Sequence, residues 1–148
     1  MKGFTYRLQR LLDYRNMQKQ QRRMELMQAQ YQLNCAEAEL ERRQQAYNTL
    51  LYEPLGAEKK SLTAQFLRQR NKNLMYQREN IRRQEMEVEK AREYCRQCLS
   101  NVQDAELEVK KLTKHREKRL MEWNKVQRKV EAVKVDEFNA RSQQDTEE

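Results

Sequence analysis

The chain has 148 residues, with 31 Lys and Arg against 23 Asp and Glu, a formal net charge of +8. Charged residues make up 36% and apolar ones 37%, but aromatic ones only 7%, with two glycines and one proline. So few turn formers exclude a sheet protein, and so thin an apolar fraction excludes an ordinary three-dimensional core. No run approaches the ~18 apolar residues of a membrane span, and the opening residues lack the apolar stretch of a secretory signal, so the expectation is a soluble cytoplasmic protein. Low hydropathy with high charge also suits disorder, but here the two signs are interspersed. The filler is Gln, Glu, Arg, Lys, Leu, Met and Ala, all strong helix formers. That is the composition of a long helix or coiled coil.

The first predicted element is a helix over about 5–51. Its apolar positions recur every seven residues: Leu12, Lys19, Leu26, Leu33, Leu40 and Tyr47 form one column. Leu8, Arg15, Arg22, Ala29, Ala36, Arg43 and Leu50 form the other. The one helix-hostile stretch follows, where Pro54 disfavours helix at the residue before it and Gly56 supplies a joint. A turn is expected over 52–57. The second helix is expected over about 58–141, with a polar, frayed tail at 142–148.

The second helix carries the stricter seam. Stepping by seven from Leu67 gives Leu74, Ile81, Val88, Cys95, Val102, Val109, Arg116, Trp123 and Val130, nine of ten positions apolar. Three residues on, Arg70, Gln77 and Gln84 are polar, whereas Ala91, Cys98, Ala105, Leu112, Arg119, Val126 and Val133 are mostly apolar. A heptad sustained this long implies a left-handed supercoil. Two seams joined by a short turn fold back on each other. The fold class is therefore all-α: an antiparallel two-stranded coiled-coil hairpin over 1–148, with a longer second helix. A turn centred near residue 54 would set residue i opposite residue 108 − i. Helix one would then run out opposite about Ala105. An apolar seam bearing Leu112, Leu120, Trp123, Val126, Val130 and Val133 would be left without a partner. It could pair with a second copy, curl back on the first residues, or dock into another protein.

Chemical sites are sparse. Cys95-x-x-Cys98 has metal or redox spacing, but zinc needs four ligands, and His115 lies roughly 25 Å from Cys98 along the helix. Both cysteines occupy seam positions and are expected to pack as small hydrophobes, with Cys35 outward. Three thiols fit a reducing compartment. His115 has no Ser or Asp that periodicity would bring to it, a rod offers no pocket, and no glycine-rich loop cradles phosphate. No catalytic residue, cofactor, metal or small-molecule substrate is expected. Residues 1–23 and 59–83 are strongly basic. Basic arms can grip RNA, but no aromatic or Gly-Arg pattern accompanies these charges, so nucleic acid is not the expected partner. A solvated face paired in part with Glu25, Glu37, Glu39 and Glu41, or an acidic protein surface, fits better.

The opening Phe4-Thr5-Tyr6-Arg7-Leu8-Gln9-Arg10-Leu11-Leu12-Asp13-Tyr14-Arg15 resembles the start of the FliJ family of the flagellar type III export apparatus. Lys118-Arg119-Leu120-Met121-Glu122-Trp123 and Val135-Asp136-Glu137-Phe138-Asn139-Ala140-Arg141 resemble that family's later motifs. The resemblance implies an antiparallel coiled coil similar to the central stalk of rotary ATP synthases. Its terminal end would enter the hexameric flagellar export ATPase, promoting ring assembly and ATP turnover. It would also contact the membrane export gate protein and free export chaperones, placing the protein in the cytoplasm beside the inner-membrane apparatus. The expected ATPase-binding residues are Arg7, Arg10, Arg116, Arg119, Leu120, Trp123, Val126, Val130 and Phe138. The expected gate-binding residues are Leu74, Met75 and Tyr76, although Asn73 and Gln77 stand where some members have bulky apolar residues. An injectisome stalk, a dimeric scaffold and an RNA-binding arm are the alternatives.

Overall fold

The computed structural model describes residues 3–53 and 63–147. Two helices account for nearly all of them: α1 over Gln9–Leu51 and α2 over Ala64–Thr146. They are 43 and 83 residues long and pack against each other as a helical hairpin, with no strand among the described residues. By compactness the chain divides into two units. The first, unit 1, is Met1–Gln20 with Asp104–Glu148, and the second, unit 2, is Gln21–Gln103.

The expected faces are the buried ones. On α2, Leu74, Ile81, Val88, Cys95, Val102, Val109, Arg116 and Trp123 are all at least half-buried, as are Arg70, Gln77, Gln84, Ala91, Cys98, Ala105 and Leu112. On α1 the same holds for both columns from Leu8 to Leu50, except Arg22, which is exposed and pairs with Glu25 at 3.2 Å. Few side chains are sealed. Ala29 at 1% exposed, Val88, Cys98 and Val102 are among them. A two-helix seam has no third layer to close over it, so most inward residues keep one edge in water.

The expected slide of one helix along the other is wrong. In unit 2, Ala36, expected opposite residue 72, receives a hydrogen bond from Gln84 Nε2 to its carbonyl at 3.0 Å. Arg43 Nη1 donates to Asn80 O at 3.0 Å, and Arg92 pairs with Glu37 at 3.4 Å. In unit 1, Tyr6, expected opposite residue 102, meets Leu112 and His115. Heptad phase selects the buried face but repeats every seven residues, so it does not fix the register. That depended on where the turn was placed.

The expected turn at 52–57 lies mostly outside the described residues, as do 58–62. Within them, α1 ends at Leu51, and Arg70 donates to the free carbonyls of Leu50 and Leu51 at 3.2 and 3.0 Å. An arginine there satisfies helix-end acceptors and suits the negative end of the dipole. Thr63 caps α2: Phe66 N donates to its Oγ1 at 3.2 Å, a standard N-cap bond. At the other end α2 stays helical past Arg141 to Thr146, with Ser142 Oγ and Thr146 Oγ1 donating to carbonyls one turn back.

Candidate partner-binding surfaces

Helix α1 starts at Gln9, not Thr5, because the preceding residues have another task. Gln9 N donates to Tyr6 O at 3.1 Å, closing a turn before the helix. That turn leaves Phe4 and Tyr6 on a short hook laid across α2 within unit 1. Tyr6 is 7% exposed. Its hydroxyl lies 2.6 Å from His115 Nδ1 and 3.4 Å from Leu112 O. The Phe4 ring sets against Trp123, with centroids 6.1 Å apart at 61°, and Arg116 lies over the Phe4 ring at 5.7 Å. Edge-to-face and cation–π contacts of this kind add to simple burial. Arg116 Nε also donates to Gln9 Oε1 at 3.2 Å.

These contacts overturn two expectations. Trp123 has an intrachain partner, Phe4, and Leu112, Leu120 and Trp123 are half-buried rather than left bare. Of the three fates open to the unpaired seam, curling back on the first residues is the one adopted as far as Trp123. Beyond it, Val126, Val130, Val133, Val135 and Phe138 are exposed, Val130 by 42% and Phe138 by 70%. The inward face also drifts: Arg119 turns outward to Glu122 at 3.2 Å, and Leu120 takes its place.

An open groove of about 630 Å³ lies beside the hook, lined by Phe4, Tyr6, Arg7, Leu8, Arg119, Trp123 and Val126 among others. A rod was not expected to carry one. Its lining is mostly apolar, and its charged groups are Arg7 and the Arg119–Glu122 pair. Unit 1 thus brings together Arg7, Arg116, Arg119, Leu120, Trp123 and Val126 of the expected ATPase-binding set. Arg10 is exposed on the first turn of α1. Val130 and Phe138 continue the exposed line further along α2.

The expected gate-binding trio is split. Leu74 is half-buried in the seam of unit 2, whereas Met75 and Tyr76 are exposed. Met75 borders a shallow groove of about 560 Å³ with Tyr47, Arg78, Ile81 and Arg82. Sequence reasoning passed over another surface: Met24, Met27 and Tyr31 stand exposed on α1 in unit 2. Their signal was present as bulky apolar residues off the seam, which a search for seam positions discards.

Cys95 and Cys98 face inward and Cys35 outward. Cys98 is the partner of Tyr94, whose phenol it holds above its ordinary value by hydrogen bonding and charge, with burial and Glu25 adding to the shift. Among the described residues, no three His, Cys, Asp or Glu side chains gather as for a metal ion. No described helix is long and apolar enough to cross a membrane. Of the carboxylates expected to pair across the helices, Glu37 does so with Arg92, whereas Glu39 pairs within α1, with Arg42 at 2.6 Å and Arg43 at 2.9 Å. Those two guanidinium groups hold the Glu39 carboxyl down to about 2.

No curated protein and no solved structure matches the sequence. A family model, the flagellar FliJ protein, matches residues 4–148, nearly the whole chain. The match begins at Phe4, the residue whose ring packs on Trp123, so the opening motif has a structural role in the hook. The chain belongs to the FliJ family, and its role lies in flagellar protein export.

Proposed function

We propose that the protein is the stalk of the flagellar export ATPase, with unit 1 as the end that enters the hexameric ring. One observation carries the reading: an apolar groove in unit 1, bordered by Arg7 and the Arg119–Glu122 pair, runs into an exposed line of Val126, Val130 and Phe138. Apolar residues with arginines around them suit a ring lumen that offers carboxylates and small apolar side chains. Trp and Arg most often dominate such interfaces, and Trp123, Arg7 and Arg119 all line the groove. The role is allosteric. A stalk that prefers one conformation of a ring subunit shifts the nucleotide-site equilibrium by its differential affinity for the two states. Met75 and Tyr76 are the proposed contacts to the export gate protein, and free export chaperones are further partners. The protein would work in the cytoplasm against the inner-membrane apparatus, without catalysis of its own.

The test is ring assembly. The cognate ATPase is sedimented with nucleotide, with and without this protein, and then with Val126→Asp or Arg119→Glu. The wild-type chain should shift the ATPase toward the hexamer. Each substitution should weaken that shift about tenfold or more while far-UV helicity stays the same. Equal promotion by the variants would rule out unit 1 as the ring-binding end.

A further inference from the structure

Beyond Trp123 the exposed part of α2 has a charge pattern with a direction. Residues 124–134 carry Lys125, Arg128, Lys129 and Lys134 against Glu131 alone. Residues 135–147 carry Asp136, Glu137, Asp145 and Glu147 against Arg141 alone. Four cations and one carboxylate are thus followed by four carboxylates and one cation along one helix.

Helix positions three and four apart ordinarily pair such charges, and elsewhere in the chain they do: Arg96 with Glu93, Lys111 with Glu108, Arg119 with Glu122. Over 124–147 the spacing offers Arg128 with Glu131, Glu131 with Lys134, Lys134 with Glu137, Glu137 with Arg141, and Arg141 with Asp145. None of these pairs forms, and this stretch holds no ion pair among the described residues. Val126, Val130 and Val133 form the apolar line on the same segment, all exposed.

We infer that two copies of this chain pair antiparallel through residues 124–139 of α2. A segment whose two halves carry opposite charge complements itself only when the second copy runs the other way. A parallel pair would set Lys129 beside Lys129 and Asp136 beside Asp136. Antiparallel pairing with Val130 opposite Val133 of the second copy repeats that contact by two-fold symmetry. At the flanking heptad positions it brings Lys129 to Asp136 of the second copy, twice. Val126 then lies near Glu137 and Phe138 of the second copy, where the long Phe138 ring can cover it. The paired stretch, 124–139, is roughly 24 Å long. That is short for a two-stranded coil, so the association is weak and sensitive to salt.

The pairing does not rest on the ring reading, because it concerns this chain alone. If both hold, one face cannot serve both at once, and self-pairing competes with ring insertion.

Sedimentation equilibrium of the full chain tests it. The wild type should show a monomer–dimer equilibrium that weakens between about 0.05 M and about 0.5 M salt. Lys129→Glu and Asp136→Lys should each weaken the dimer about tenfold, since two attractions become two repulsions. The double variant Lys129→Glu/Asp136→Lys should recover it, and an equimolar mixture of the two single variants should pair with each other more tightly than either pairs with itself. Both sites are exposed, so helicity should not change. A chain that stays monomeric up to about 1 mM, the weak end of measurable association, overturns the inference. So does a double variant no better than the singles. Loss of ring assembly with self-pairing intact would count against the ring reading alone.

Discussion

Tyr6 and His115 are 2.6 Å apart, hydroxyl to Nδ1, across the hook and α2. The hydroxyl has one hydrogen and two neighbours, His115 Nδ1 and Leu112 O. When Nδ1 lacks a hydrogen, Tyr6 donates to it. When Nδ1 carries one, the imidazole donates to the hydroxyl oxygen and Tyr6 turns its own hydrogen to Leu112 O. The contact is therefore made with either tautomer of His115.

Tyr6→Phe keeps the buried ring and removes this bond. Its expected cost is about 1 kcal/mol, because His115 is exposed enough to find water instead. Tyr6→Ala removes the ring as well and should cost about 3 kcal/mol. Thermal unfolding of the two variants measures the difference. Equal losses would mean that ring burial contributes nothing.

Phe4→Ala removes the partner of the chain's one tryptophan. The Trp123 emission should shift to the red, and the melting temperature should fall by the equivalent of about 1 kcal/mol. Trp123→Ala should cost the free protein a similar amount, so its effect on partner binding must be read against that loss. An unchanged emission maximum in Phe4→Ala would show that the hook does not cover the indole.

Amide exchange should divide α1. Arg15 and Lys19 are half-buried charges at adjacent seam positions, and the Arg15 Nε lies buried without a hydrogen-bond partner. Leu26, Ala29, Leu33 and Leu40 form an apolar run further on. Exchange should be faster over 15–22 than over 26–40, since the charged seam contributes little beyond stem burial. The reverse order would contradict the packing described for α1.

Glu39 ties acid stability to two arginines. Hydrogen bonds from Arg42 and then Arg43, with their positive charge, lower its carboxyl from the ordinary 4.5 to about 2. A carboxyl lowered by folding stabilises the fold above pH 4.5, and that contribution fades as pH falls from 4.5 toward 2. Wild type should therefore melt above Glu39→Gln at pH 6, with the gap closing between pH 4.5 and 2. A gap that persists at pH 2 would contradict the assignment.

The buried face of the hairpin was legible in the sequence because apolar residues every seven positions can share only one stripe. The register was not. Sliding two such helices by a heptad preserves every apolar contact class, and only particular pairs such as Gln84 with the Ala36 carbonyl, or Arg70 with the end of α1, fix it. At the candidate site the arginines and Trp123 singled out from the sequence all lie in unit 1. The hook was missed because Phe4 and Tyr6 precede the helix, where heptad counting does not reach. Tyr6 shows its role only through a partner more than a hundred positions away.

The most direct test of the ring-stalk reading is ATP hydrolysis by the cognate export ATPase as this protein is titrated in. Turnover should rise and saturate with the wild-type chain. Val126→Asp and Arg119→Glu should need about tenfold more protein to reach the same rate, whereas Met75→Ala, in unit 2, should match the wild type. A rate that does not change at saturating protein, or that responds to Met75→Ala but not to the unit 1 variants, would contradict the account.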